Sequence, residues 1–285
     1  MNYRHAFHAG NFADVVKHAV LARILVHLRA KDAGFRVVDS HAGIGLYDLA
    51  GEAAERTGEW QGGIGRIAGA DLGAATAEFL APWLDVVRGL NPDGELRHYP
   101  GSPVIAARMM RRQDRLVANE LHPEDADLLE AALAGCRQAK VMRLDGWTAV
   151  KSLLPPPERR GLLVVDPPFE REGEFERLAT AMVEASRRFA GGVQLLWYPE
   201  KKPAAVRAFH RAVVESGVAP VLRIAHRTRT PTADGPLAAA GLLVVNPPWR
   251  LADEAAAVLP VLAAAMADGA GAGAEVDWLV PEPAR

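Results

Sequence analysis

The most chemically loaded stretch of the chain is Val164-Val165-Asp166-Pro167-Pro168-Phe169, an apolar run closing on a carboxylate, two prolines and an aromatic ring. Successive prolines fix φ and delete two backbone N–H donors. The Asp166 carboxylate and neighbouring carbonyls can then converge as acceptors on an incoming amino group, while the Phe169 ring offers a face for stacking. That combination suits a planar base bearing an exocyclic NH2. The lone pair of such an amine is delocalised into the ring and becomes nucleophilic only as that conjugation is undone. Hydrogen bonds from the NH2 to Asp166 and a backbone carbonyl favour a pyramidal nitrogen and stabilise the positive charge that develops on it. A lone D-P-P-F would read as a proline-rich turn ending a strand, so the motif needs company.

Three other apolar runs also close on acids. Val37-Val38-Asp39-Ser40-His41-Ala42-Gly43-Ile44-Gly45 runs from an apolar segment through an acid into a glycine-bearing turn, where a ligand can approach the backbone without meeting a Cβ. It is not G-x-G-x-x-G, which weakens a dinucleotide dehydrogenase and keeps a nucleoside ligand open. Val117-Ala118-Asn119-Glu120 ends on a carboxylate able to accept both hydroxyls of a ribose, and Val141-Met142-Arg143-Leu144-Asp145-Gly146 ends on another acid and a glycine. Singly, Glu120 and Asp145 read as loop or cap residues; at successive strand ends they read as one ligand site. Ser102 before Pro103 has the spacing of an N-cap followed by proline at the first helical position. The segment Tyr3-Arg4-His5-Ala6-Phe7-His8-Ala9-Gly10-Asn11 precedes a helix from about Phe12 through Lys17 and His18, and its aromatic and basic groups suit RNA stacking and phosphate contact. The histidines lack metal-ligand spacing, so no metal is expected. Asp39-Ser40-His41 is not read as a triad, since adjacent residues do not converge on one another.

These motifs need a scaffold that brings strand ends together. Apolar strand candidates are Arg36–Asp39, Arg115–Glu120, Ala139–Leu144, Gly161–Asp166, Val193–Tyr198, Pro220–Arg227 and Gly241–Asn246, with Val276–Val280 as a last strand. Several are continuous apolar runs, as in strands covered on both faces. Helical patterns lie between them (Pro103–Arg112, Pro123–Ala134, Glu174–Phe189, Pro203–Ser216), which predicts a doubly wound α/β sheet. The stretch from about Tyr47 to His98 breaks the alternation and reads as a helical insertion (residues 47–97) in a core formed by 1–46 and 98–285. Residues 268–275 read as a loop. With 285 residues, 49% of them hydrophobic, and a net charge of −2, the chain can bury a full core, which excludes intrinsic disorder and a bulk polycation. No apolar stretch reaches the roughly 20 residues of a membrane span. The opening residues do not lead into a signal-peptide core and Cys136 has no disulfide partner, so a cytoplasmic location is expected.

Taken together, the N-terminal motif, Asp39-Ser40-His41-Ala42-Gly43, Glu52-Ala53-Ala54-Glu55-Arg56-Thr57-Gly58-Glu59, Tyr99-Pro100-Gly101-Ser102-Pro103, Glu120-Leu121-His122-Pro123, Asp145-Gly146, Asp166-Pro167-Pro168 and Asn246-Pro247-Pro248-Trp249 resemble, in order and across nearly the whole chain, the bacterial 23S ribosomal RNA adenine-N6 methyltransferases of the RlmJ type. The resemblance implies a class I methyltransferase fold (a Rossmann-like doubly wound sheet) using S-adenosylmethionine (SAM), with an inserted helical subdomain. It further implies methylation of N6 of adenine 2030 in 23S rRNA. Carried onto matching positions, His18, His41, Ser102, Glu120, Asp145, Gly146 and Asp166 would line the SAM site. Asp166 would accept the amine proton, and Tyr3, Lys17 and Phe169 would face the substrate. Phe169 stands where tyrosine is expected in many relatives. Asn246 is assigned to a structural turn, because the last core strand of this fold runs antiparallel and would carry it to the opposite rim. The chain is expected to act as a monomer with 23S rRNA as its partner. A DNA adenine-N6 methyltransferase and a non-catalytic RNA-binding protein of the same fold remain the alternatives.

Overall fold

The computed structural model describes residues 5–232 and 235–282. Helix α1 (Phe12–Arg29) precedes β1 (Arg36–Asp39). Next come β2 (Leu46–Asp48), four helices α2 (Glu52–Thr57), α3 (Glu59–Gly62), α4 (Ile64–Ile67) and α5 (Ala74–Leu90), and β3 (His98–Pro100). Helix α6 (Ser102–Met109) then leads into β4 (Arg115–Asn119), α7 (Pro123–Leu133) into β5 (Ala139–Met142), and α8 (Gly146–Ser152) into β6 (Gly161–Val165). Helix α9 (Glu174–Arg188) precedes β7 (Val193–Pro199), and α10 (Pro203–Glu215) precedes β8 (Val221–Arg227). The chain ends with β9 (Ala239–Val245), α11 (Leu251–Ala265) and β10 (Gly273–Val280).

Eight strands form one sheet in the order β5-β4-β1-β6-β7-β9-β8-β10, and β2 pairs with β3 in a separate ribbon. β5, β4, β1, β6 and β7 are parallel neighbours, whereas β9 is antiparallel to β7 and β8. This is the class I methyltransferase sheet, a doubly wound Rossmann-like arrangement with one reversed strand, extended here by β10 on the edge. The continuous apolar runs have the predicted cause: all five residues of β6 are buried. Leu162 and Val164 face the core shared with α1, α6 and α11, while Leu163 and Val165 face α9 and α10 on the other side.

Strand register places the chemistry. Asp39 pairs with Ala118 of β4 and Val164 of β6, and Asn119 pairs with Met142, so β1, β4, β5 and β6 all end on one rim. The reversed β9 pairs Val245 with Gln194, carrying Asn246 to the opposite rim, as expected. There its amide donates to the carbonyls of Ala190 (2.8 Å) and Gly192 (2.9 Å), a structural turn.

Three local expectations need correction. Ser102 is not an N-cap: Gly101 takes that position, and the Ser102 hydroxyl is used elsewhere. Residues 268–275 are not all loop, since β10 begins at Gly273. The stretch read as purely helical is rooted in the β2–β3 ribbon, whose three-residue strands are too short to show a period in sequence. No helix among the described residues is long and apolar enough to cross a membrane.

Helix α1 is buried on nearly all sides, since it is wedged between the sheet and α5, α6 and α11. Its start is set by Asn11, whose side-chain oxygen accepts from the N–H groups of Ala13 and Asp14, each at 3.0 Å. Substituting Asn11→Ala removes this cap and is expected to lower stability by about 1 kcal/mol. A urea-unfolding midpoint unchanged from wild type would contradict that assignment.

Candidate active site at the carboxyl rim of the sheet

A cleft opens above the carboxyl ends of β1, β4, β5 and β6. The structure brings His18, His41, Ser102, Glu120, Asp145, Gly146 and Asp166 together on its wall, with Lys17, Pro167 and Pro168 beside them. These residues come from turns after four strands and from two helices far apart in sequence, and only the sheet makes them neighbours.

Lys17 governs the Asp166 side. It is 4% exposed, and its ammonium lies 2.8 Å from Asp14 Oδ1 and 2.5 Å from Asp166 Oδ2. Asp14 in turn accepts from the backbone N–H of Gly10 at 2.9 Å and meets His5 Nε2 at 3.0 Å. Burial alone would lower the lysine's pKa, but the two carboxylates overcome it and hold Lys17 firmly protonated. Burial likewise works to raise the Asp14 carboxyl, yet His5, Lys17 and His18 hold it well below the usual range. Lys17, expected on the substrate side, is a buried group on the cleft lining that contacts Asp166.

Beneath the cleft, Asp39 is fully buried. Its Oδ2 accepts the Ser102 hydroxyl at 2.6 Å and its Oδ1 accepts the His41 N–H at 3.4 Å. The Ser40 hydroxyl oxygen lies 3.0 Å from the Val164 carbonyl, to which it donates, and 2.9 Å from His41 Nδ1. Because that proton points to a carbonyl, Ser40 is no activated nucleophile, and the Asp39-Ser40-His41 sequence forms no triad. Burial lowers the His41 and His18 pKa values to about 4 and about 3, so both imidazoles are neutral near pH 7.

Glu120 accepts backbone N–H groups from Gly43 (3.0 Å) and His122 (2.9 Å), which fixes its carboxylate at the cleft edge. Asn119 locks the adjoining turns by bonding the Ser40 and Leu144 carbonyls and the Leu144 N–H. Asp145 caps α8 through Thr148 N at 3.0 Å. Gly146 must lack a side chain, because a Cβ there would stand 2.2 Å from His41 Nε2.

Of the other expected substrate residues, one lies off the cleft wall and one is not described. Phe169 does not reach the cleft wall: its ring packs 4.9 Å from Phe175 and 5.8 Å from Trp197 in an aromatic cluster behind the loop. Tyr3 lies outside the described residues. Several wall residues escaped sequence reasoning, among them Tyr47, Trp147 and the half-exposed Leu121 and Leu128. Leu121 was legible as an apolar neighbour of Glu120, and Asp14 as the i−3 partner of Lys17; the others carry no local signal. Among the described residues no group of three or more His, Cys, Asp or Glu side chains is placed to hold a metal ion.

Desolvation pushes the Asp39 carboxyl up to about 7, with Asp166 adding to the rise and the Ser102 hydrogen bond opposing it. A folded-state pKa above the unfolded one means the native state keeps the proton longer. Asp39 thus favours folding at low pH, and this contribution is lost as pH climbs from about 4 towards about 7. Asp39→Asn should gain stability relative to wild type across that window, on the order of a few kcal/mol by pH 8. Parallel urea-midpoint profiles for the two proteins between pH 5 and pH 8 would contradict this.

Comparison with known proteins places the chain. A family model described as Ribosomal RNA large subunit methyltransferase D, RlmJ, matches residues 32–280. The protein named Ribosomal RNA large subunit methyltransferase J in Escherichia coli (strain K12) is 39% identical over 282 residues, covering 99% of this chain and all of the relative. Its namesake in Haemophilus influenzae is 37% identical over 284 residues with the same coverage. A crystal structure of a Legionella pneumophila protein superposes with a TM-score of 0.86 at 31% identity, covering 95% of this chain and 98% of that one. The agreement spans the core, the helices between β2 and β3, and the N-terminal helix alike, so the chain belongs to the RlmJ family of ribosomal RNA large-subunit methyltransferases.

Proposed function

We propose that the chain transfers a methyl group from SAM to N6 of adenine 2030 in 23S rRNA, with Asp166 receiving the amine's hydrogen bond and then its proton. The observation that carries this reading is the Asp166 carboxylate at the cleft wall, one oxygen held by buried Lys17 and the two following backbone nitrogens removed as donors by Pro167 and Pro168. The resemblance of the whole motif set to adenine-N6 methyltransferases and the names of the full-length relatives support the substrate class.

The residues present fit SAM. Glu120, pinned by two backbone N–H groups, retains lone pairs for a ribose diol, and the half-exposed Leu121 and Leu128 give a flat adenine an apolar shelf. Asp145 and the side-chain-free Gly146 offer an acceptor and close backbone approach for the adenine edge. Ser102 and the neutral His18 and His41 supply uncharged polar groups for the amino-acid end. Bound SAM supplies an electrophilic methyl on a cationic sulfur.

What the chain must do is position and stabilise charge. Lys17 keeps Asp166 in one orientation and leaves its Oδ1 free to accept from the N6 amine. A methyl leaving the donor's sulfonium sulfur, which would depart as a neutral thioether, would make the nitrogen cationic, and the nitrogen would then lose one proton to the Asp166 carboxylate. Lys17 cannot take that proton, being already protonated. A base held in a duplex cannot reach this depth, so the target adenine must be unstacked into the cleft.

Asp166→Ala is expected to lower methyl transfer to 23S rRNA by at least about 10²–10³-fold, the loss typical for removing one charge-stabilising group. Mass spectrometry of 23S rRNA from a strain lacking the gene, complemented with wild-type or variant protein, reads the outcome as N6-methyladenosine. Restoration by Asp166→Ala would remove this residue from the mechanism. Label transfer to duplex DNA in preference to RNA would favour the DNA enzyme.

A further inference from the structure

A second groove runs between α8 and α9 and opens into the cleft, sharing Asp145, Trp147, Arg171 and Arg177 with it. Beyond that shared wall it is lined by Lys151 and Glu176. Lys151, Arg171 and Arg177 are all exposed. Among the described residues no carboxylate lies within ion-pair distance of any of their side chains. Other cations of α9 behave differently: Arg187 and Arg188 both lean on Glu184. Buried Glu174 accepts the backbone N–H of Arg171 at 3.2 Å and attracts the Arg171 and Arg177 side chains from beyond ion-pair distance. Among the described residues, three exposed cations thus stand without a direct ion pair along a groove leading to the proposed target pocket.

The chain as a whole carries a net charge of −2 and cannot attract a polyanion in bulk, so an RNA substrate needs a local positive track. We infer that this groove seats the phosphodiester backbone beside the unstacked target adenine, with Lys151, Arg171 and Arg177 neutralising its phosphates. The inference rests on the RNA-methyltransferase reading of the cleft. Extruding one nucleotide pulls its flanking phosphates over the cleft mouth, where Arg171 and Arg177 stand, and the strand continues past Lys151. Exposed Glu176 on the same wall is placed to accept from a ribose 2′-hydroxyl, which RNA has and DNA lacks.

The test is RNA binding by the double variant Lys151→Ala/Arg177→Ala, using an oligoribonucleotide that spans the target adenine, measured over a range of salt concentrations. Losing two single-strand phosphate contacts should lower the slope of log affinity against log salt by about 1.4 and weaken binding roughly tenfold or more at moderate salt. The charge reversal Lys151→Glu should weaken it further, while SAM affinity measured by calorimetry on Lys151→Glu stays at the wild-type value and certifies the fold. Wild-type RNA affinity and slope in both variants would overturn the inference, as would a SAM affinity that falls in step with RNA affinity. A wild-type protein that binds this RNA yet forms no N6-methyladenosine would instead sink the proposed function, with the groove still open to measurement.

Discussion

A single buried ammonium ties the site together. Lys17 reaches from the middle of α1 to a carboxylate 149 residues away at the end of β6, and also holds Asp14 one turn back on its own helix. Remove the cation, and two carboxylates in a desolvated pocket would face one another with nothing between them. Buried ion pairs contribute little net stability against an apolar replacement, but breaking one by deleting a partner is costly. The arrangement is better understood as specifying geometry: it sets where α1 ends up against the sheet rim and which way Asp166 points.

That geometry is supported from the other side by the helices between β2 and β3. Gly63 lies so close to the segment before α1 that a Cβ on it would be 2.1 Å from the Gly10 carbonyl, which also accepts the Ile64 N–H at 2.9 Å. Glu59 receives His8 at 3.0 Å and the Asn11 amide at 3.0 Å. Asn11 therefore caps α1 while being held by α3, and Gly10 donates to Asp14 while being held by α4. The helical stretch so grips the loop that positions Lys17's helix, a contribution to the cleft made without lining its Asp166 side.

Much of this was legible in the sequence, for identifiable reasons. Strands buried on both faces are continuous apolar runs, and so β1, β4 and β6 and the acids at their ends could be read directly. The antiparallel placement of Asn246 followed from the fold family. What could not be read were pairings between distant positions. Ser102 looked like a helix cap because Ser before Pro is a local pattern, whereas its real partner, Asp39, is set by the sheet. The burial of Lys17 could not be read either, because nothing near it in sequence announces that α1 is wrapped on nearly all sides. Phe169 looked like a stacking face because aromatic character says nothing of direction; with φ at +52° its backbone turns left-handed, and the ring joins Phe175 and Trp197 instead.

The concavity divides its charge in a way that matches the two molecules it has to tell apart. Its inner wall carries the carboxylates Glu120, Asp145 and Asp166, with Asp14 and Asp39 buried behind it, an acidic environment that suits a cationic, hydroxyl-bearing ligand. Its outer arm between α8 and α9 presents Lys151, Arg171 and Arg177 against the acids Asp145 and Glu176. On the proposed reading, a polyanion would be repelled from the inner wall and drawn to the arm, and an uncharged base at the end of an extruded nucleotide would be what enters to the depth of Asp166. Separation of sign along one continuous cleft thus sorts donor from acceptor before any base-specific contact forms, and a chain with a net negative charge can work on RNA without coating it.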